Sequence, residues 1–217
     1  FVGDIHLISD QTYFFPLYLY FDETKTGIFS KDKFTSLPNF TGEFLQFIKA
    51  TFKTTPSAEE IFYYIYAVLY SPAYRKRYEE FLKMDFPRIP FTKNYRVLKN
   101  LSRLGKELID LHLLKHASLK NTDVCFPVGG TNVVKKIKYS ETKKRIYINK
   151  SQYFGNISEE VWVYTIGIYQ VMKDYLKERV SKVLSLDEIN HYMKVAKAIK
   201  MTMKIQKKID KVYKELI

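Results

Sequence analysis

An α+β fold is what this sequence predicts: a small twisted sheet, antiparallel or mixed and including a β-hairpin, packed against several helices and a long C-terminal helix. Three observations carry that expectation. Two Ser-x-x-Glu capping boxes, Ser57-Ala-Glu-Glu60 and Ser185-Leu-Asp-Glu188, each introduce a run of helical character. Two β-branched, aromatic and lysine-bearing runs, Val133 to Tyr139 and Arg145 to Lys150, flank the polar Ser140-Glu-Thr-Lys-Lys144, which is the pattern of a hairpin. The C-terminus sets Ile189, Tyr192, Ala196, Ile199, Met203, Ile209, Val212 and Leu216 along one helical face, with a drift between Met203 and Ile209.

Taken in order, residues 1–55 read as mixed lead-in strands and a loop. Ile5-His-Leu-Ile8 and Tyr13-Phe-Phe-Pro-Leu-Tyr-Leu-Tyr20 have strand composition, with Pro16 favouring an edge or bulge. Asp22 to Leu37 is polar and charged and reads as a mobile loop. Phe40 to Phe52 predicts a short helix with Phe44, Phe47 and Ile48 on one side.

A helical subdomain follows over residues 56–118. The run Ile61 to Tyr70 is apolar or aromatic all round, so its helix should be buried on most sides. Ser71-Pro72 reads as an N-cap with proline in the first turn, opening a helix with Tyr74, Tyr78, Phe81 and Leu82 inward and Arg75, Lys76 and Arg77 near its start. Phe86-Pro-Arg-Ile-Pro90 ends it. From Tyr95, the apolar positions Val97, Leu101, Leu104, Leu108 and Leu111 repeat helically, leaving Arg96, Lys99, Arg103 and Lys106 on a basic outer face.

Residues 119–217 hold the hairpin and the C-terminal helices. In the second hairpin strand Ile146 and Ile148 should face the core, with Arg145, Tyr147 and Asn149 outside. Charge concentrates here: Lys135, Lys136, Lys138, Lys143, Lys144, Arg145 and Lys150 stand against the single acid Glu141 within residues 131–154. The final helix, about thirty residues long, would span roughly 45 Å.

Composition narrows the function classes. Thirty-six Lys and Arg against 23 Asp and Glu give a net charge of +13, which favours a polyanionic partner, nucleic acid first and an anionic membrane surface second. No stretch approaches the roughly 18 apolar residues of a membrane span, and Phe1 opens no signal peptide. The expectation is a soluble, cytoplasmic protein with no membrane partner. The missing initiator methionine reads as an excised piece of a longer protein. One cysteine, Cys125, rules out an internal disulfide, and its apolar neighbours predict a packed thiol.

Catalytic chemistry lacks its parts. His112 and His116, at i and i+4, could share a helical face and a metal, but position 113 is Leu and no zinc-protease glutamate follows. Gly129-Gly130 has neither P-loop nor dinucleotide-fingerprint spacing and reads as a turn. Nucleic acid fits better. Lysines and arginines neutralise phosphates, while Arg and Asn pair bidentately with guanine and adenine edges. That makes Arg145, Tyr147 and Asn149 base candidates. The backbone candidates are Lys135, Lys136, Lys138, Lys143, Lys144 and Lys150, with Arg75, Lys76, Arg77, Arg96, Lys99 and Arg103 on the helices. Against this, a lysine-rich strand also serves as a solvated sheet edge protected from aggregation, and basic helix faces are commonly just solvated.

Several segments together resemble the C-terminal methyltransferase and target-recognition region of type ISP and related type IIG restriction-modification enzymes. They are Gly3 to Ser9, Tyr13 to Tyr20, Pro56 to Arg75, Asp85 to Phe91, and Trp162 to Arg179 continuing into Ser185 to Tyr192. This chain has Ile168 and Tyr175 where family members commonly carry a second glycine and a tryptophan. The resemblance implies a DNA target-recognition domain, itself without catalysis or cofactor, joined to an upstream adenine-N6 methyltransferase domain of the same polypeptide. It implies AdoMet for that parent, with Mg2+ and ATP where a nuclease and a helicase-like ATPase precede. Neither a glycine-rich AdoMet loop nor an Asn/Asp-Pro-Pro-Tyr motif occurs in the chain. Gly167 should then permit a close helix approach, and Trp162, Tyr169 and Leu176 should serve the core. Rival readings are a nuclease fragment, disfavoured by dispersed acids, a DNA-binding fragment without base specificity, and a protein-docking scaffold using the C-terminal helix.

Overall fold

A computed structural model of the chain describes residues 15–22 and 34–216. The expected strand Ile5 to Ile8 and most of the expected loop lie outside the described residues. Compactness groups the chain into two units, otherwise than the three sequence segments: residues up to Lys106 together with Lys208 onward, and Glu107–Lys207.

In the first unit, β1 (Tyr18–Asp22) begins just after Pro16 and pairs antiparallel with β2 (Phe34–Pro38), so the end of the expected loop is strand. Helix α1 (Gly42–Thr51) is capped by Thr41 and buries Ile48, while Phe47 stays exposed. The capping box of Ser57 and Glu60 opens α2 (Ala58–Tyr70) as expected. Its burial is one-sided, however: Ala58, Ile61, Tyr64, Ala67 and Val68 are buried and Phe62 is exposed. Ser71 caps α3 (Pro72–Arg77), and the chain kinks at Tyr78 before α4 (Glu79–Met84). The single helix expected here is therefore two, and Phe81, 66% exposed, points away from the core that holds Tyr74.

Helix α5 (Tyr95–His112) repeats as its spacing predicts, with Val97, Leu101, Leu104, Leu108 and Leu111 all buried. Gly105 explains how α5 fits against α2. A Cβ there would lie 1.9 Å from the carbonyl oxygen of Tyr63, so only glycine allows the two backbones this close. Ser102 Oγ donates to the Glu60 carbonyl in the same contact at 2.6 Å. Helix α8 (Leu186–Tyr213) contributes Asp210 to this unit, whose carboxylate accepts from Ser71 Oγ at 2.6 Å and from the Ala73 amide at 3.2 Å.

The second unit is built on a three-stranded antiparallel meander, β3 (Lys138–Ser140), β4 (Arg145–Tyr147) and β5 (Tyr153–Gly155). The expected hairpin is thus present with a third strand beside it, and its first strand starts at Lys138 rather than Val133. Residues 132–134 pair instead with 181–184: the Val134 amide donates to the Lys182 carbonyl at 3.0 Å and Ser181 returns a bond to Val134 at 2.8 Å. Register sets Tyr139, Ile146 and Phe154 on one face and Lys138, Arg145, Tyr147 and Tyr153 on the other. The first face closes a core with Val134, Ile148, Met172, Leu176, Ile189 and Tyr192.

The segment from Trp162 onward completes this core. After α6 (Glu159–Trp162), β6 (Thr165–Ile166) and β7 (Tyr169–Gln170) form a tight hairpin leading into α7 (Val171–Lys177). Gly167 has φ of +60° and no atom within 4 Å of a Cβ built there. It makes the turn; the close helix approach expected of it belongs to Gly105. Positive φ at the first of two central residues is the pattern of a type II′ turn, where glycine is favoured. Ile168, the second, is 94% exposed. Leu176 is fully buried, whereas Trp162 is half-buried and stacks on Tyr139 at 5.4 Å. The expected capping box opens α8, with Ser185 and Glu188 bonding reciprocally. Past Met203 the buried positions are Ile205, Ile209 and Tyr213, at steps of four, which replaces the expected drift toward Val212 and Leu216.

Candidate nucleic-acid interface

The meander turns its second face outward because the first is consumed by the core. A four-residue loop, Glu141 to Lys144, joins β3 to β4. It closes with the Lys144 amide on the Glu141 carbonyl at 3.0 Å and with Lys144 at φ of +49°. Four-residue hairpin loops are most often built around such a turn, and this one carries Lys143 and Lys144 at its exposed tip.

Beside it lies an open basin of about 490 Å³ lined by Lys136, Lys138, Ser140, Lys143, Tyr147, Asn149 and Lys150. Six of these seven are residues that sequence reasoning proposed; Ser140 is the addition. Lys135 and Lys144 are exposed nearby in sequence but do not line the basin. Arg145 belongs to the same sheet face, with its guanidinium 4.0 Å from the centre of the Tyr153 ring. Tyr147 and Tyr153, cross-strand partners, hold their rings 5.4 Å apart. A hydrogen bond to the Tyr147 hydroxyl, the largest influence on its titration, holds the Arg145 guanidinium above the ordinary arginine range.

Asn149 lines the basin but is committed to structure. Its Nδ2 donates to the Val133 carbonyl at 3.1 Å and to Gln152 Oε1 at 2.9 Å, while its Oδ1 accepts from the Ser151 and Gln152 amides at 3.1 and 2.8 Å. An amide so engaged has little left for an adenine edge. Gln152, only 1% exposed, is the residue that sequence reasoning missed. Its Oε1 also accepts from the Asn132 amide at 2.8 Å, and its Nε2 donates to the Val128 carbonyl at 3.1 Å and to Asn132 Oδ1 at 2.7 Å. Every valence of this buried amide is used, as burial requires. The signal was faint: one glutamine inside a polar turn. Gly130 packs against that same amide, 2.8 Å from its Cδ to a Cβ built on the glycine, whereas a Cβ at Gly129 would meet nothing within 4 Å.

A family profile, that of the Type ISP C-terminal specificity domain, matches residues 1–208. The chain belongs to that family. No curated protein matches this chain. Among solved structures it is similar to the ATP-dependent Type ISP restriction-modification enzyme LlaBIII bound to DNA, with TM-score 0.63 and 23% identity over 89% of this chain and 13% of that one. A nuclease-deletion mutant of the Type ISP restriction-modification enzyme LlaGI, in complex with a DNA substrate mimic, gives TM-score 0.53 and 25% identity over 71% of this chain and 14% of that one. The DrdV–DNA complex gives 0.62 and 21% over 80% and 20%. The specificity domain therefore spans between 13% and 20% of the length of these proteins.

The helical candidates of the specificity domain are exposed but occupied. Arg75 Nε donates to the Leu69 carbonyl at 2.6 Å, and its guanidinium lies 5.0 Å from the Tyr70 ring. Arg77 sits over Tyr78 at 5.7 Å, and Lys99 pairs with Glu60 at 3.8 Å and with the Tyr95 ring at 5.5 Å. Lys76, Arg96 and Arg103 are exposed as well.

Two other expectations are corrected. Helix α5 ends at His112, and His116 caps the following 3-10 helix (Ala117–Lys120), so the two histidines share no helical face. His112 bonds Thr202 Oγ1 at 3.2 Å, and burial lowers its pKa to about 4. Cys125 is exposed rather than packed, its backbone paired with Gly155. No helix among the described residues is long and apolar enough to cross a membrane.

Proposed function

We propose that this specificity domain reads a duplex DNA target through the outer face of the meander. The observation that carries the reading is the basin. Four lysines, Lys136, Lys138, Lys143 and Lys150, converge on it beside an arginine that lies over the Tyr153 ring, itself paired with Tyr147. Lysines suit phosphates as point charges, and a two-stranded ribbon fits the major groove. Arg145 and Tyr147 are then nearest the bases, Lys135 and Lys144 extend the backbone contact, and Asn149 holds the loop. The cations of α3 and α5 are secondary backbone contacts. The fold is shared with proteins whose structures were determined on DNA.

In this reading, adenine-N6 methylation and cleavage belong to domains elsewhere in the same polypeptide, upstream of the specificity domain. AdoMet, Mg2+ and ATP serve those domains. Fluorescence anisotropy on duplex DNA across a salt series tests the DNA reading. The expected outcome is a steep loss of affinity, log K falling by about 0.9 per phosphate neutralised for each decade of salt. A flat response would favour protein docking instead. With AdoMet added, the isolated chain should transfer no radiolabelled methyl group.

A further inference from the structure

Building on the reading of the meander as the DNA-contacting surface, we infer that Arg145 is a guanine reader and that Tyr153 is the positioning residue that aims it. The register explains the geometry. Arg145 stands directly opposite Gly155, and Tyr153 lies two residues along the same strand on the same face. A long side chain can reach that diagonal neighbour. Gly155 puts no side chain of its own in that path, and a Cβ there would crowd Cys125 Sγ at 2.9 Å and the Tyr153 ring at 3.5 Å. The guanidinium accordingly lies over the Tyr153 ring, its central carbon 4.0 Å from the ring centre.

What remains of the arginine selects the ligand. The Tyr153 ring occupies one side of the guanidinium, and Tyr147 stands on the same sheet face. The rest of the fork presents parallel N–H donors in a fixed plane. In the major groove only guanine offers two adjacent acceptors, N7 and O6; adenine pairs an acceptor with a donor, and cytosine and thymine offer one polar group each. A phosphate could also accept the fork, but the exposed Lys138 and Lys143 beside it already suit that role. An arginine held by rings also loses less freedom on binding, which favours the site that needs orientation over the one that needs only charge.

The test uses the 217-residue chain and a duplex pool with a randomised core, the bound fraction being sequenced. The enriched motif should contain a guanine whose replacement by 7-deazaguanine, which lacks N7, weakens binding about tenfold. Arg145→Ala should abolish that penalty. Tyr153→Ala and Tyr153→Leu should also lose the guanine preference while keeping the salt slope, the leucine variant guarding against simple loss of packing. Tyr153→Phe, which keeps the ring face, should retain it. The inference is overturned if both Tyr153 variants discriminate like the parent, if the motif's guanines tolerate 7-deazaguanine, or if Arg145→Ala weakens all sequences alike. Should Arg145, Lys138 and Lys143 substitutions all leave binding unchanged, the meander itself is not the DNA surface and the wider reading fails with it.

Discussion

The cations of α3 and α5 and those of the meander come from the same side-chain inventory, yet the fold uses them differently. On the helices Arg75 satisfies a carbonyl left over at the end of α2 and Lys99 pairs with Glu60, so both side chains are engaged within the unit. On the meander, four lysines share one basin and Arg145 lies over the Tyr153 ring. Both surfaces raise the local potential and both hold an arginine against a ring, but only the second gathers several lysines into one basin beside it. A basic face attracts DNA; a positioned arginine can tell one sequence from another.

The largest effect expected from this contrast lies beneath the meander. Gln152→Leu strands the Asn132 amide and the Val128 carbonyl, and removes a partner of Asn149. At about 1–3 kcal/mol for each stranded group, the melting temperature should fall by roughly 10 °C, with loss of sequence preference even where folded protein still binds. Calorimetry and a site-ranking assay on the same sample check this. Unchanged ranking would mean that the loops do not depend on the network.

Acid separates folding from surface charge. Burial holds His112 neutral down to about pH 4, whereas the unfolded chain gains a proton near pH 6.5. Stability should therefore decline as pH drops from about 6.5 to about 4, by about 3 kcal/mol in total. His112→Gln should flatten that profile. No histidine lies within residues 131–154, so DNA affinity of the folded chain should not follow the same curve. If binding weakens between pH 6.5 and 5 while the melting temperature of His112→Gln stays level, a further titrating group governs the surface.

The smallest expected effect compares single lysines. Lys143→Ala should weaken binding to every sequence by about 1 kcal/mol and lower the salt slope by about 1. Lys76→Ala, on α3, should do clearly less. Equal losses, measured in one salt series, would erase the distinction between the two surfaces.

Much of this architecture is legible in the sequence, because capping and periodicity are local properties. The boxes at Ser57 and Ser185, the proline-started α3, the apolar repeat of α5 and the alternation that buries Ile146 and Ile148 all depend on residues within a few positions of one another. The clustering of lysines in residues 131–154 was likewise visible. Only the tertiary structure decided which partners distant segments take. It paired residues 132–134 with 181–184 instead of extending β3, and it added β5 beside β4. It assigned the close helix approach to Gly105 and the turn to Gly167, and it drew Asn149 into a buried network around Gln152 while leaving Arg145 on the rings. The physical reason is that burial and hydrogen-bond satisfaction are settled by whichever groups the whole chain brings within about 3 Å, a distance that no local spacing encodes.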